Sequence, residues 1–176
     1  MTADDYISQL GINTDKENAR KDGIFTYILD NNDDKKIAIA SVSELLNLTA
    51  FTNQPAVSLT QGGSREINDY IFPKVETWIK SIHDAKFVIT DSFHGCVFSI
   101  IFNKPFLAIG NQHRGQARFE SLLKLFNLDD RLITHSSQIT TEKIERKIDW
   151  PLINSIIESQ KKQSLNYLKK NLKNTL

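Results

Sequence analysis

The sequence predicts an α/β fold: a Rossmann-like parallel sheet with helices on both faces. Short runs rich in β-branched and aromatic residues alternate along the chain with segments whose apolar residues recur every three or four positions. Strand–helix–strand order requires crossover connections, which make the strands parallel and place the helices on the faces. The 176 residues suit one domain that can bury its own core.

The first half of the chain supplies two predicted strands and two predicted helices. Residues 24–30 (IFTYILD) are typical of a buried strand, and a polar turn follows them. A helix is predicted over 37–48 and a second short strand over 55–60 (PAVSLT). Pro73 can open the next helix, whose apolar side chains lie at three- and four-residue spacing.

The second half continues the alternation. Its predicted elements are a strand over 86–90, a buried helix over 96–102 ended by Pro105, a strand over 106–109, an amphipathic helix over 118–126, an edge strand at 132–133 and a long helix from residue 151. In parallel sheets ligands bind at the carboxyl ends of the strands. We therefore expect the loops that follow Thr90 and Ile109 to form the functional edge of the sheet.

Composition argues against several classes of protein. The 22 basic and 21 acidic residues give a formal net charge of +1, whereas a dedicated nucleic-acid binder carries a basic excess. One cysteine can form neither an internal disulfide nor a cysteine-based zinc site. The apolar runs are far shorter than the ~20 residues of a transmembrane segment, and the N-terminus has no secretion signal. We expect a soluble, cytoplasmic protein that binds no nucleic acid.

The sequence TDSFHG at residues 90–95 is the sharpest local pattern. A strand that ends in a polar turn and restarts as a helix directs helical N–H groups at the sheet edge, where they favour an anion. Ser92 can cap the helix, Gly95 lets a ligand approach the backbone, and His94 can donate a proton or a hydrogen bond. The alternative is that Asp91 or Ser92 only caps a helix on whose first turn His94 packs.

A second polar cluster lies in NQHRGQAR at residues 111–118. Arg114 and Arg118 are four residues apart, so they can share one helix face and bind phosphate or carboxylate. Asn111 adds a polar candidate, and Gly115 permits a tight backbone path. The alternative is a solvated surface loop. We expect both polar clusters to meet at one end of the sheet.

Other motifs that carry chemistry are absent from the sequence. It contains no G-x-x-x-x-G-K-[ST] phosphate loop, no G-x-G-x-x-G dinucleotide fingerprint and no G-x-S-x-G nucleophile elbow. His83, His113 and His135 lack the spacing of a metal-binding pair. We expect neither a metal nor a cofactor.

Read together, residues 85–133 resemble the polysaccharide pyruvyl transferase family. The matching segments are TDSFHG, FNKPF, RGQARF and LDDR, in that order, and the resemblance extends more weakly from residue 23 to the C-terminus. The resemblance implies one domain of a two-domain enzyme of the GT-B type. It also implies that His94 is catalytic. Some relatives carry arginine where this chain has Ser92, and Arg114 or Arg118 could supply that charge.

The resemblance also implies substrates, partners and domain boundaries. Such enzymes transfer pyruvate from phosphoenolpyruvate to a pair of sugar hydroxyls, forming a ketal in surface glycan biosynthesis. The acceptor is a sugar or a lipid-linked glycan. Because a lipid-linked acceptor lies in the membrane, the inner face of the membrane is an alternative location for the enzyme. Because family enzymes are longer than this chain, residues 23–176 are expected to be a C-terminal domain that lacks its N-terminal partner. Residues 1–22 are expected to be an extension or an interdomain remnant.

Two other functions stay open at this point. One is half of a GT-B-type glycosyltransferase that uses a nucleotide-sugar. The other is a non-catalytic domain that binds a partner or forms a homodimer. If the protein is a pyruvyl transferase, this chain by itself could be an inactive fragment of the enzyme.

Overall fold

The computed structural model describes residues 3–9, 22–55, 67–110 and 115–172, apart from the side chains of residues 68 and 69. Within these residues five strands form one sheet: β1 Ile24–Tyr27, β2 Ala50–Phe51, β3 Phe87–Thr90, β4 Phe106–Ile109 and β5 Leu132–Ile133. The strand order is β2-β1-β3-β4-β5, and every neighbouring pair is parallel. The predicted Rossmann-like parallel sheet is confirmed.

Helices cover both faces of this sheet, as predicted. The α-helices of the described residues are α1 Ala3–Gln9, α2 Asp33–Leu46, α3 Val75–Asp84, α4 Phe93–Ile101, α5 Gln116–Leu125, α6 Thr141–Glu145 and α7 Trp150–Leu172. Phe25 and Val88 pack in one core with residues of α1, α3, α4, α5 and α7. Ile24 and Ile89 pack in a second core with residues of α2 and α6. Successive strand residues therefore point to opposite faces.

The two central strands are buried on both sides. Every residue of β3 and of β4 is buried. A parallel strand covered on both faces has no solvent-facing positions, which explains the uninterrupted sequences FVIT and FLAI. These runs were recognisable in the sequence for that reason.

The start of α2 differs from the prediction. The helix begins at Asp33 rather than at residue 37, because the Asn32 side chain accepts a hydrogen bond from the Lys35 amide and caps the first turn. Asp33 and Asp34 then lie at the positive end of the helix dipole, which favours carboxylates. The apolar periodicity used for the prediction starts only after this polar turn.

The second strand lies earlier than predicted. β2 pairs with β1 through Ala50 and Phe51, and a strand of two residues is too short to produce a periodic signal. Of the strand predicted over 55–60, Pro55 has no regular secondary structure, and the other residues lie outside the described part of the chain. β5 is an edge strand beside β4, as predicted.

The strand order creates a switch point between β1 and β3. From β1 the chain first adds β2 on one side and later adds β3 on the other. The helix that follows β1 packs on one face of the sheet, and the helix that follows β3 packs on the opposite face. Such divergence opens a crevice at the carboxyl ends of the two strands, where ligands bind in this class of fold.

Candidate functional site

A pocket of about 300 Å³ lies at this switch point. Its walls come from the end of β1, the turn after β3, the first turns of α4, and α3 with the residues before it. The lining residues are Tyr27, Phe72, Pro73, Val75, Trp78, Ser92, His94 and Phe98. Two of the residues singled out in the sequence, Ser92 and His94, therefore line a pocket.

The turn after β3 sets His94 at the mouth of this pocket. Ser92 adopts an extended conformation and caps α4, its hydroxyl accepting a hydrogen bond from the Gly95 amide at 3.5 Å. His94 follows in the first turn of α4, where its side chain is exposed. An exposed imidazole in this position can exchange protons with a bound molecule, and the positive end of the helix dipole favours an anion beside it.

Thr90 holds that turn against the neighbouring strand. Its hydroxyl donates a hydrogen bond to the Tyr27 carbonyl at 2.8 Å and accepts one from the Ser92 amide at 3.0 Å. One buried side chain thus joins the carboxyl ends of β1 and β3. The position of His94 relative to the pocket follows from this connection.

Gly95 allows α4 to pack closely on Thr90. A Cβ atom at Gly95 would lie 2.5 Å from Thr90 Oγ1 and 2.9 Å from Thr90 Cγ2. The structure therefore supplies a packing reason for this glycine that does not depend on a ligand. A role for Gly95 in substrate binding stays a prediction.

We expect Gly95→Ala to lower the free energy of unfolding by about 1–3 kcal/mol, because α4 must move away from β3 to admit the methyl group. Gly110→Ala is the matched control, since its nearest contact is the Leu132 Cδ1 methyl at 3.3 Å, which can rotate. Urea unfolding followed by circular dichroism measures both. Equal losses in the two variants would contradict the packing argument.

Arg118 lies at the same edge of the sheet as His94. Its guanidinium carbon is 5.6 Å from the centre of the Phe93 ring, and that ring is 5.9 Å from the His94 ring. Phe93 therefore contacts both side chains, and the geometry is compatible with a cation–π interaction at the arginine. The structure brings together one residue from each polar cluster found in the sequence.

Gly115 begins the helix that carries Arg118. Its φ of 73° lies in the left-handed region, and its carbonyl accepts a hydrogen bond from the Arg118 amide at 2.9 Å. A Cβ atom there would also lie 2.9 Å from Arg118 Nε. Because glycine has no Cβ atom, it adopts this φ without strain and avoids the close contact with Arg118. Asn111 and Arg114 lie outside the described residues, so their predicted roles stay predictions.

A buried ion pair that the sequence did not reveal supports the site. Lys35 Nζ lies 2.7 Å from Asp91 Oδ2, and the two side chains are 5% and 2% exposed. Asp91 also accepts hydrogen bonds from the amides of Leu29 and Asp30, and Lys35 donates to the Asp30 carbonyl. The pair joins the loop after β1 to the turn that carries His94. Asp91 was considered in the sequence only as a helix cap.

Aromatic side chains form the inner wall of the pocket. The ring centroids of Tyr27 and Trp78 are 5.2 Å apart, and those of Trp78 and Phe98 are 5.3 Å apart. Burial, with a smaller contribution from the negative charge of Asp91, raises the pKa of the Tyr27 hydroxyl, which therefore stays protonated at neutral pH. Sequence analysis missed Tyr27 and Trp78 because it assigned them to a strand and to the apolar face of a helix.

Within residues 3–9, 22–55, 67–110 and 115–172, no three side chains of the His, Cys, Asp and Glu types come together as a metal site. None of the helices described has an apolar stretch long enough to cross a bilayer.

A family model for polysaccharide pyruvyl transferases matches residues 4–113, which is more than half of the chain. The chain belongs to the polysaccharide pyruvyl transferase family. The assignment made from the resemblance of residues 85–133 is confirmed. Neither the curated proteins nor the solved structures gave a match.

The match to the polysaccharide pyruvyl transferase family contains the candidate site. It includes every residue that lines the pocket and the whole TDSFHG turn, and it ends at His113, ahead of Arg118. It begins at Asp4, within the segment for which an extension or interdomain remnant is predicted. In that segment the Tyr6 ring packs on Phe98 with a centroid distance of 5.2 Å. Membership of this family implies a transferase.

Proposed function

We propose that this chain catalyses transfer of pyruvate from phosphoenolpyruvate to two hydroxyls of a sugar, forming a ketal in a surface glycan. The observation that carries the proposal is the position of His94, exposed in the first turn of α4 at the mouth of the switch-point pocket. Membership of the polysaccharide pyruvyl transferase family supports the reaction class.

The donor requires positive charge. Phosphoenolpyruvate carries a phosphate and a carboxylate, which guanidinium groups and helix N-termini bind well. Arg118 and the N-terminal end of α4 meet these needs at one edge of the sheet. We assign Asn111 and Arg114 to the same donor site, with Ser92 and Gly95 shaping the turn and Gly115 admitting the arginine side chain.

The chemistry requires proton transfer. One sugar hydroxyl oxygen bonds to C2 of phosphoenolpyruvate, while C3 gains a proton and becomes a methyl group. The oxygen of the second hydroxyl then bonds to C2, and the bond from C2 to the phosphate oxygen breaks. The proton of that hydroxyl goes to the departing phosphate. The products are the ketal and inorganic phosphate. We assign proton transfer in these steps to His94, because an imidazole ring can both accept and donate a proton.

The chain acts as the C-terminal domain of a GT-B-type enzyme, residues 23–176, and an additional N-terminal domain completes it. The acceptor is a sugar or a lipid-linked glycan, and the enzyme binds it in the cytoplasm. If the acceptor is a lipid-linked glycan, the reaction takes place at the inner face of the membrane. No cofactor takes part, since phosphoenolpyruvate is itself the activated donor.

Binding of phosphoenolpyruvate tests the assignment of Arg118. We expect Arg118→Ala to weaken binding by about five- to tenfold, because a charge-assisted contact to the donor is lost. Lys124→Ala is the matched control: Lys124 lies exposed in the last turn of the same helix, and both changes remove one positive charge. Isothermal titration calorimetry measures both affinities.

Two results would count against this proposal. Equal affinities in the Arg118→Ala and Lys124→Ala variants would remove Arg118 from the donor site. Thermal stabilisation by uridine or cytidine nucleotide-sugars, with none by phosphoenolpyruvate, would favour a nucleotide-sugar glycosyltransferase instead.

A further inference from the structure

We propose that the aromatic pocket holds a sugar ring of the acceptor, and that phosphoenolpyruvate lies on the other side of His94, beside Arg118. The inference rests on the proposed function and adds to it the location of the two substrates. It assigns a binding role to Tyr27 and Trp78.

The pocket is poorly suited to the donor. Among the residues that line it, His94 is the only one whose side chain can carry a positive charge, and the others are aromatic, aliphatic or hydroxyl-bearing. Burying a phosphate and a carboxylate against such walls would cost desolvation energy that no ion pair offsets. The aromatic walls therefore favour a neutral ligand, whereas the N-terminal end of α4 beside His94 favours the anionic donor.

A sugar ring matches the same walls. A pyranose presents C–H groups on its faces, and these interact favourably with the negative face of an aromatic ring. Tyr27, Trp78 and Phe98 form a connected aromatic surface. At the rim, Phe72 and Val75 are 60% and 63% exposed, and a bound sugar would cover part of this apolar area.

Polar groups in the lining can bind the hydroxyls of the ring. Tyr27 and Ser92 each bring a hydroxyl, and His94 brings an imidazole. The indole N–H of Trp78 is itself buried, so Trp78 contributes the face of its ring to the pocket rather than a hydrogen bond. A few polar groups on apolar walls, in a volume of about 300 Å³, are typical of a small-molecule site.

The helix arrangement places the two substrates on either side of His94. α4 packs against both α3 and α5. The pocket lies towards α3, which contributes Val75 and Trp78, whereas Arg118 extends from α5 onto Phe93. His94, beside Phe93 on α4, therefore lies between the sugar pocket and the arginine. A proton taken from a sugar hydroxyl can then be delivered on the donor side by the same imidazole.

Indole NMR signals test this inference directly. The chain has two tryptophans, and Trp150, which is half-buried and packs against the core at the start of α7, serves as an internal control. In ¹⁵N-labelled protein the two indole signals are assigned with Trp150→Phe and titrated with methyl glycosides of glucose, galactose, mannose, N-acetylglucosamine and N-acetylmannosamine. We expect saturable shifts of the Trp78 signal with at least one glycoside, and none of the Trp150 signal.

Variants separate the two substrate positions. Trp78→Leu should raise the dissociation constant of that glycoside about tenfold, measured by saturation transfer to the sugar, because the aromatic ring face is lost. Tyr27→Phe, which keeps the ring and hence the packing, should raise it by roughly two- to fivefold. Arg118→Ala should leave glycoside affinity unchanged and weaken only phosphoenolpyruvate.

The outcomes distinguish this inference from the function on which it rests. If phosphoenolpyruvate binds but no glycoside moves the Trp78 signal, the sugar pocket is wrong and the proposed function stands. If phosphoenolpyruvate itself moves that signal and Trp78→Leu abolishes its binding, the pocket is the donor site and this inference is overturned. If glycosides bind and phosphoenolpyruvate does not, the proposed function fails.

Discussion

Replacing His94 by asparagine should reduce phosphate release from phosphoenolpyruvate by about 10²–10⁴-fold, the usual contribution of a general acid–base group. Asparagine can still form a hydrogen bond, but it cannot carry a proton between the sugar hydroxyl and C3 of the donor. Because the His94 side chain is exposed and does not belong to the buried core, the variant should unfold at nearly the same urea concentration as the parent.

The rate is measured by ³¹P NMR, with the active enzyme that contains this chain and its acceptor glycan. His135→Asn is the matched control, since His135 is also exposed but follows the edge strand β5, two strands away from β3. The loss should fall on kcat, with phosphoenolpyruvate affinity reduced far less. A His94→Asn enzyme with undiminished kcat would remove His94 from the chemistry.

Asp91→Ala should lower the free energy of unfolding by about 3–5 kcal/mol, as expected when one partner of a buried ion pair is removed. The Lys35 ammonium would stay buried opposite a cavity, and the amides of Leu29 and Asp30 would lose their acceptor. The loss is large because the carboxylate satisfies three donors at once.

Urea unfolding measures this loss, and two further variants identify its cause. Asp33→Ala removes a carboxylate that is 92% exposed and whose partner Lys36 is 69% exposed, so we expect a much smaller loss there. Adding Lys35→Met to Asp91→Ala should recover part of the stability, because no unpaired charge is then buried. An Asp91→Ala protein as stable as Asp33→Ala would show that the pair contributes little.

The elements that the sequence predicted well are those whose surroundings are uniform. β3 and β4 are buried throughout, and α4 is apolar along most of its length and buries Gly95, Cys96, Ser99 and Ile100, so their apolar runs have a single compatible environment. The turn between β3 and α4 was equally visible, because Ser92 caps the helix within the motif itself. His94 could be placed at the carboxyl end of a parallel strand without knowledge of any distant contact.

The elements that were displaced or missed depend on weaker signals. β2 has two residues, and the first turn of α2 is held by a side-chain cap from Asn32 rather than by apolar periodicity. Lys35 gave no sign of its buried position, because its partner lies 56 residues away along the chain. A lysine in a polar stretch is normally exposed, and only the packed structure reveals the exception.

By itself, the sequence determined the class of fold, the family and the turn that carries His94. All three can be predicted from short segments of the sequence, through their apolar patterns, their helix-capping residues and the spacing of their motifs. The tertiary structure decided which side chains surround that turn. Tyr27, Trp78 and His94 come from separate elements and meet only because β3 joins the sheet beside β1 and α3 packs on α4. Strand order follows from the competition of packing energies over the whole domain, and no local segment encodes it.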